Sequence, residues 1–566
     1  TTSISTLSSA DIMKTPTPSV EQALQGNAAG VYVVNTSSEP GGEISIRVRG
    51  GSSIKADNEP LLVIDGFTTD QGLSSLNPDD IKSIEILKDA GATAIYGSRG
   101  ANGVVLVTTK SGTKGKPVVN FESYYGFQQL RRKLPLLTAA ELAQLANEAR
   151  EAAGQSPITL RPDTMETSKD WQNLMFHTAP QINNTISVSG GDDKVRYYVS
   201  ANYLTQQGLI VNSDYSKASI RSNLDFNFNK TVSAGIKLNL SQMTKHGVQV
   251  GDNGSILRAN ATNPTGKGLL DPSGSFYIDP ETGDPVSTSP LANAQETINE
   301  KKSQNLQVGA YVQFKILKDL TFRSAGTLSP SNKLDNYYFP NSIKGDKVSD
   351  AYEQYGSSSK WSNDNSLNYS KKIKKHSFSL LAGQEVTSSF SHNFRARNTD
   401  FSTDIFGFYN LESGNGLPSV SSSAAAYKLL SYFGRATYNF DSRYLFSFTY
   451  RADGSSKFGA NNKWGYFPSG SFAWRASNEP FMKNVRLFND LKLRFSYGVN
   501  GSDRIDPYSS QALYTTRATA IGGVVGTGYM IDKMANVDLV WEKTAEYDAG
   551  IDMSLLKGRL SFTADY

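Results

Sequence analysis

Three glycines at a spacing of three are the first feature of the sequence that could carry chemistry. Gly97, Gly100 and Gly103 stand just before an apolar run, and closely spaced glycines can cradle phosphate groups. A phosphate loop, however, follows a strand and opens a helix. Here the glycines precede a predicted strand at 104–109, and no Gly-Lys-Ser/Thr follows. The pattern argues against a nucleotide site and favours tight turns with positive φ at the glycines.

Acidic side chains are the second candidate for chemistry. The segment 271–284 carries Asp271, Asp279, Glu281 and Asp284, whose carboxylates could bind calcium. Their spacing is not that of an EF-hand, so solvated loop acids are the favoured interpretation. Glycosidases need a pair of carboxylates, and no pair stands out among the 53 acidic residues. With 4 His and no Cys, we predict no zinc site, no cofactor and no enzymatic activity.

Composition excludes several other classes of protein. A chain of 566 residues is too long for one ordinary soluble domain. No run of 18 apolar residues is present, which excludes a helical inner-membrane transporter. The net charge of +4 is spread along the chain and leaves no nucleic-acid footprint. The 48 Gly, 28 Tyr and 27 Phe suit a membrane β-barrel, whose alternating strands are polar on average.

Residues 1–115 predict one small mixed α/β domain, of a normal size for a folding unit. The segment 19–24 predicts a short amphipathic helix with Ser19 as its N-cap. Residues 44–50 alternate strictly between apolar and polar side chains, as a half-buried strand does. Residues 61–66 predict a buried strand that ends in an Asp-Gly turn.

From Pro117 onward the sequence changes to a period of two. The runs often reach nine residues, as a tilted membrane strand requires, and exceed the usual globular strand. Clear examples are 195–203, 232–241, 306–316, 491–499 and 560–566. About fifteen strands are predicted, against the roughly 22 of plugged outer-membrane transporters.

The connections between the predicted strands alternate between short and long. Short turns are predicted at 190–193, 229–231, 317–319, 441–443 and 555–558. Long connections are predicted at 127–180, 245–303, 329–359, 385–426 and 500–543. This alternation is typical of an outer-membrane barrel with short periplasmic turns and long outer loops, and only the longer segment 478–490 departs from it. In the first long loop, Thr138 and Glu141 form a capping box that predicts a helix ending near Gly154.

Residues 81–110 resemble the plug signature of the SusC/RagA-type TonB-dependent outer-membrane transporters. They read IKSIEILKDAGATAIYGSRGANGVVLVTTK. Further stretches similar to barrel motifs of that family are YRADGSSKFG (450–459), WGYFPSGSFAWRASNEPFM (464–482), LKLRFSYGVNGSD (491–503) and WEKTAEYDAGID (541–552). The resemblance implies a 22-stranded membrane β-barrel with an α/β plug in its lumen, divided here into a plug (1–115) and an incomplete barrel (116–566). It assigns a structural role to the signature residues Tyr96, Gly97, Arg99, Gly100, Asn102 and Gly103.

The same resemblance implies active import of a nutrient across the outer membrane of a Gram-negative, Bacteroidota-type bacterium. The substrate would be an oligosaccharide, a glycan fragment or a peptide. TonB, with ExbB and ExbD, would supply the energy, and a SusD-like surface lipoprotein would act as a lid on a barrel surrounded by outer-membrane lipid. The alternative is a receptor for another ligand such as a siderophore or a cofactor. A glycosidase and a passive porin are less favoured, because a diffusion pore has no use for a domain that fills its lumen.

Charged and polar residues of the plug give two sets of candidate site residues. The charges Arg47, Arg49, Glu85 and Arg99 are expected to pair with charges on the inner barrel wall, because unpaired burial would be costly. In TonB-dependent transporters the plug loops corresponding to 51–58 and 67–73 reach toward the outer cavity, so the resemblance implies substrate contacts there. The predicted contact residues are Asp57, Asn58, Asp70 and Gln71.

The two ends of the sequence suggest a fragment. No signal peptide precedes Thr1, although an exported protein starts with one, so the start is expected to be mature or truncated. The resemblance implies a TonB box and a small periplasmic domain before the plug. A barrel cannot leave a raw edge in lipid, and Tyr566 falls inside a predicted strand, so closing strands are expected to follow.

Overall fold

The computed structural model describes residues 4–14, 17–51, 53, 57–135, 137–157, 161, 163, 170–248, 290–343, 348–482, 485 and 488–566. The acidic segment 271–284, considered above for calcium, lies outside the described residues. Among those that are described, no helix has the length and apolar character needed to cross a membrane.

The N-terminal part folds into a small mixed sheet with short helices. Its strands are β1 (Ile4–Ser8), β2 (Val31–Asn35), β3 (Ile44–Val48), β4 (Leu61–Ile64), β5 (Phe67–Thr69), β6 (Ile81–Leu87) and β7 (Val104–Thr109), and its helices are α1 (Ser9–Ile12), α2 (Val20–Leu24) and α3 (Ala90–Thr93). Five strands form one sheet in the order β1-β6-β7-β4-β5, in which β4 and β7 are parallel, while β2 and β3 form a hairpin. Ser19 caps α2 by accepting a hydrogen bond from the Gln22 amide, as predicted.

A continuous apolar core holds most of these elements together. Val20 and Leu24 of α2 pack against Ile84 of β6 and Val105 of β7, and all four are fully buried. Burying an aliphatic side chain contributes about 1.5–3 kcal/mol. This cluster therefore stabilises the N-terminal domain independently of its contacts with the rest of the chain.

The rest of the chain forms one large antiparallel sheet of 15 strands, as many as predicted. Its first eight strands in chain order are β8 (Gly115–Gln128), β9 (Ala179–Gly191), β10 (Val195–Gln207), β11 (Asp214–Asn227), β12 (Val232–His246), β13 (Ile298–Leu317), β14 (Leu320–Phe339) and β15 (Asp350–Ile373). Then follow β16 (His376–Thr399), β17 (Ser419–Phe440), β18 (Tyr444–Ser455), β19 (Trp464–Arg475), β20 (Phe488–Ser502), β23 (Glu542–Leu555) and β24 (Leu560–Asp565). A separate hairpin, β21 (Leu513–Ile521) and β22 (Val524–Lys533), is inserted between β20 and β23. The predicted domain boundary at 115/116 lies at the start of β8.

The five short turns are confirmed, but two of the long connections are wrong. Only 340–349 joins β14 to β15, and only 400–418 joins β16 to β17. The strands themselves continue where loops were predicted: β15 and β16 each have 24 residues, whereas about 9–11 cross a membrane. These strands therefore extend well beyond the hydrocarbon layer. The longer segment between β19 and β20 is confirmed, and its described part contains two short 3-10 turns, Ala476–Asn478 and Pro480–Met482.

The long connections that remain carry helices. The loop after β8 holds α4 (Ala139–Ala152) and α5 (Trp171–Met175), and α6 (Pro290–Glu296) precedes β13. Thr138 and Glu141 form the predicted capping box of α4.

The large sheet is polar on the face toward the N-terminal domain and apolar on the other. On β11, Lys217 and Arg221 are buried against that domain, while Ile220 between them is exposed on the outer face. Lys217 donates to the Leu76 carbonyl (2.8 Å), and Arg221 pairs with Asp65. Since alternate residues of a strand face opposite sides, the sheet is a barrel wall around the N-terminal domain, which is a plug in the lumen.

Candidate functional site

The signature loop, residues 94–103, lies where the plug meets the barrel wall. It continues from α3 as a 3-10 stretch that is interrupted at Gly97, where φ is 59° and ψ is −136°. Gly103 also has positive φ, as predicted. Gly100 does not, since its φ is −90°, and that expectation was wrong. A side chain at position 100 is restricted by space instead, because a Cβ there would lie 3.0 Å from the Thr93 carbonyl oxygen.

Gly97 sits directly against two charged side chains of β18. A Cβ at this position would overlap Arg451 and Asp453. Arg451 donates to the Ile95 carbonyl (2.6 Å), and Asp453 accepts from the Ser98 amide (2.9 Å). The wall therefore supplies hydrogen bonds to the backbone on both sides of Gly97, which is possible only because glycine allows this close approach.

Arg99 completes a buried charge cluster, which we define as Arg99, Glu385, Arg451 and Asp453. Glu385 of β16 binds Arg99 through one oxygen and Arg451 through the other, the latter at 3.0 Å. Arg451 also pairs with Asp453 at 2.6 Å. Two cations and two anions balance, so no net charge is left in the buried cluster.

Arg99 keeps its charge in this setting. Burial alone would lower the pKa of Arg99, but the Glu385 carboxylate outweighs it and raises the pKa above its ordinary value. Arg99 also donates to the Thr68 hydroxyl (3.1 Å), which links the signature loop to β5.

Of the other three plug charges predicted to pair with the barrel wall, one does so in the structure. Arg49 contacts Glu546 (3.0 Å) and Asp548 (2.9 Å) on β23. Arg47 is exposed and Glu85 is partly buried, and within the described residues no ion pair involves either of them. The structure thus brings two of the four charges against barrel carboxylates.

Two further signature residues hold the plug's own structure. Tyr96 packs against the small apolar cluster around Leu61 and Val104. Asn102 is buried and donates to the Asp57 carbonyl (2.9 Å), which ties the signature loop to the loop before β4.

A cavity of about 400 Å³ lies beside the cluster, between the plug and the wall. Its acidic lining residues are Glu21, Asp57, Glu59, Asp70, Asp503 and Asp506, and its basic ones are Arg99, Lys360, Lys457 and Arg504. Tyr427 is the one aromatic residue in the described lining. Burial raises the pKa of Glu59, and the neighbouring charge of Asp57 adds to this effect. Such a cavity can bind a ligand with charged groups of both signs.

The four predicted contact residues separate into two pairs. Asp70 and Asp57 line the cavity, where Asp70 pairs with Lys360 (2.6 Å) and Asp57 with Arg504 (3.2 Å). Both aspartate side chains remain more than half exposed. Asn58 instead closes its own loop by bonding both backbone polar groups of Ser53. Gln71 is buried and donates to the Leu306 carbonyl of β13 (3.0 Å). Neither amide lies in the cavity lining.

The sequence analysis did not identify the barrel residues that belong to the site, which are Lys360, Glu385, Arg451, Asp453 and Arg504. Arg451 and Asp453 lie two apart in the motif 450–459. A strand there would put both charges on one face, and this charged pair was the available signal. Glu385 was assigned to the edge of a loop, whereas it lies within β16. In the described part of the chain, no three His, Asp or Glu side chains are placed to hold a metal ion.

Fold and site together define a plugged outer-membrane β-barrel. Residues 1–104 match the TonB-dependent receptor plug domain, and residues 244–566 match the TonB-dependent receptor-like β-barrel. The chain belongs to the TonB-dependent receptor family, and the resemblance to its SusC/RagA branch is confirmed.

Curated relatives support this placement. TonB-dependent receptor P3 of Formosa agariphila is 35% identical over 100% of this chain and 56% of its own length. TonB-dependent receptor SusC of Bacteroides thetaiotaomicron is 32% identical over 97% of this chain and 57% of its own. The chain thus spans about half the length of the curated relatives it matches. These relatives are receptors, which confirms the prediction that the chain is not an enzyme.

Solved structures show the same architecture. The RagAB peptide importer in its closed-closed state superposes with a TM-score of 0.88 at 27% identity, covering 100% of this chain and 67% of that one. The siderophore receptor PirA from Acinetobacter baumannii has a TM-score of 0.57 at 13% identity, over 97% of this chain and 68% of that one. This second likeness concerns the fold alone.

Proposed function

We propose that the complete protein imports a nutrient across the outer membrane with energy supplied through TonB. The observation that carries this proposal is the buried cluster of Arg99, Glu385, Arg451 and Asp453, which fixes the signature loop to the wall. Breaking a buried ion pair costs about 3–5 kcal/mol. A plug held this way does not move aside by diffusion of a ligand alone, so an external energy source, TonB with ExbB and ExbD, is required.

The cavity supports a charged ligand as the cargo. Both acidic and basic side chains line it, with one aromatic residue. That aromatic, Tyr427, already lies under the ammonium group of Lys457 at 4.5 Å. A neutral oligosaccharide would require exposed aromatic faces or unpaired polar groups, whereas a peptide offers charged termini and amides to such a lining. Of the two nutrient classes, oligosaccharide and peptide, we therefore favour a peptide.

The outer loops support a partner that covers the barrel, for which we propose a SusD-like surface lipoprotein. The hairpin β21–β22 pairs only with itself among the described strands, and two-stranded hairpins are marginally stable alone. Val525 and Tyr529 on it are 76% and 77% exposed, and exposed aromatic and aliphatic surface marks protein interfaces. On another long connection, the one between β8 and β9, Leu145 of α4 is also exposed.

Uptake by the complete protein is expected to stop without TonB. The measurement compares cells that express the full-length protein with and without every TonB homologue, supplied with a fluorescent tryptic peptide pool or with labelled oligosaccharides. Accumulation of peptides in the periplasm should fall to the level of cells that lack the transporter. Undiminished uptake in the TonB-free strain would show passive transport and contradict the proposal, whereas TonB-dependent uptake of oligosaccharides alone would overturn only the peptide assignment.

Replacing Asp57 and Asp70 with asparagine is expected to weaken binding of imported peptides. Asparagine retains an acceptor for Arg504 and Lys360 but removes the two carboxylates from the lining. Each lost hydrogen bond should cost about 0.5–1.5 kcal/mol, or roughly 2- to 10-fold in affinity. Calorimetry on the full-length protein with its lipoprotein measures the effect. Asp193→Asn, on a turn at the opposite end of the barrel, serves as the control, and equal affinity of the double variant and this control would place the ligand elsewhere.

A further inference from the structure

An apolar groove of about 570 Å³ runs across the outer face of β16–β20. It arises because small and large side chains alternate along one row of register partners. The row is Leu380, Ala436, Phe448, Gly470 and Tyr497. Ala436 and Gly470 leave depressions between their bulky neighbours. A volume of this size lies within the range of about 300–1,000 Å³ that holds small-molecule ligands.

Aromatic side chains close the end of the groove that lies toward the short turns. The neighbouring row of register partners is Phe378, Tyr438, Phe446, Phe472 and Phe495. Below it, the Tyr444 hydroxyl (2.6 Å) and the Trp474 indole N–H (3.2 Å) both donate to Glu479. Tyr and Trp with an apolar body and a bonded polar tip are typical of the membrane–water interface. Since short turns are periplasmic, the groove opens into the inner leaflet of the outer membrane.

Four lysines surround the turn between β15 and β16, directly beside this aromatic row. They are Lys371, Lys372, Lys374 and Lys375. Lys371 is the register partner of Phe378, so this residue lies beside the lower end of the groove. Lys371 contacts Asp319 (3.7 Å), and Lys375 contacts Asp441 (3.0 Å). Two carboxylates against four ammonium groups leave this lysine turn with net positive charge.

We propose that this face binds an anionic phospholipid of the inner leaflet. One acyl chain lies in the groove along Ala436 and Gly470, and the headgroup phosphate meets Lys371 and Lys374. The charge of the turn selects an anionic lipid over a zwitterionic one, because basic clusters at a membrane surface attract anionic headgroups. The same strands β16 and β18 carry Glu385, Arg451 and Asp453 on their lumen side, so the lipid would lie behind the wall that holds the plug.

Native mass spectrometry of the delipidated full-length protein tests the groove. The protein is incubated with an equimolar mixture of dioleoyl phosphatidylglycerol and dioleoyl phosphatidylethanolamine, and the wild type is expected to retain the anionic lipid at least tenfold in excess. Gly470→Leu fills the groove and should abolish this retention. A Cβ at Gly470 meets only the Ser447 carbonyl oxygen at 3.9 Å, so the substitution fits the fold. Ala436→Leu, which fills the other depression, is the second variant, and thermal unfolding verifies that both are folded.

The matched control is Gly326→Leu on the outer face of β14. A Cβ there meets only the Ser362 carbonyl oxygen at 3.6 Å, and the site is remote from the groove lining. This variant should retain lipid as the wild type does. Retention that is unchanged in folded Gly470→Leu and Ala436→Leu, or lost equally in Gly326→Leu, overturns the groove as the site.

The headgroup is tested by removing charge. The double variant Lys371→Gln with Lys374→Gln should lower retention of phosphatidylglycerol at least fivefold, with no effect on phosphatidylethanolamine. Lys194→Gln with Lys230→Gln, on two other short turns, is the charge-matched control. Equal retention of the two lipids by the wild type, or equal losses in the two double variants, overturns the assignment of an anionic lipid to the lysine turn.

Discussion

Replacing Gly97 with alanine is expected to free the signature loop from the barrel wall and to abolish import. Gly97 has φ 59° and ψ −136°, a conformation that costs a non-glycine residue about 1–3 kcal/mol. The added methyl group would also overlap Arg451 and Asp453, and overpacking costs about another 1–3 kcal/mol. Because wall and loop are joined by hydrogen bonds on both sides of Gly97, these bonds should open together.

Hydrogen exchange measures this opening. The Ser98 amide is bonded to Asp453, so its exchange reports the seated loop. A cost of about 2 kcal/mol or more raises the open population roughly 30-fold, and peptides covering 94–103 should exchange correspondingly faster. Gly126→Ala on β8 is the control, since a Cβ there has no neighbour within 4 Å. Exchange at 94–103 that matches this control would show that the loop tolerates a side chain, against the argument.

Much of the fold was predictable because alternation is a local signal. The strands that lie in lipid carry a full set of apolar residues on one face, so β10, β12 and β20 were located from the sequence alone. The prediction failed where strands leave the membrane. Residues 331–336 of β14 and 388–393 of β16 each contain one apolar residue, Leu334 and Phe390, among polar ones. Without a repeated set of apolar residues on one face, a strand resembles a loop. This is why two connections were predicted too long.

The site was only half predictable, for a different reason. Arg99 stood out as a charge inside the signature, but its partner Glu385 is distant in sequence and reaches it only through the register of the barrel wall. Local sequence contains no information on such a pairing. Asn58 and Gln71 were selected because they are polar and lie in the loops that the resemblance places toward the outer cavity, yet their amides bond backbone groups of the plug and of β13. Composition alone does not separate a polar residue that holds a loop from one that faces a cavity.

Replacing Glu385 with glutamine is expected to be nearly as disruptive as the change at Gly97. Glu385 is the acceptor that Arg99 and Arg451 share, and Arg451 is only 2% exposed. Glutamine keeps the shape of the side chain but leaves two buried guanidinium groups with Asp453 as their one counter-ion in the cluster. Removing one partner of a buried pair costs about 3–5 kcal/mol. Asp193→Asn, whose partner Lys114 is exposed, should have little effect, because exposed pairs contribute little.

A double-mutant cycle decides whether the loss arises from the Arg99–Glu385 contact itself. Arg99→Met removes the cation while keeping an unbranched apolar side chain, and it should be strongly destabilising alone. Combined with Glu385→Gln it should cost clearly less than the sum of the two, with a coupling of about 0.5–3 kcal/mol, as contacting residues show. Each free energy is measured from hydrogen exchange at 94–103 in the full-length protein. Strictly additive effects would mean that the two side chains act independently, and the cluster would then not be what fixes the signature loop to the wall.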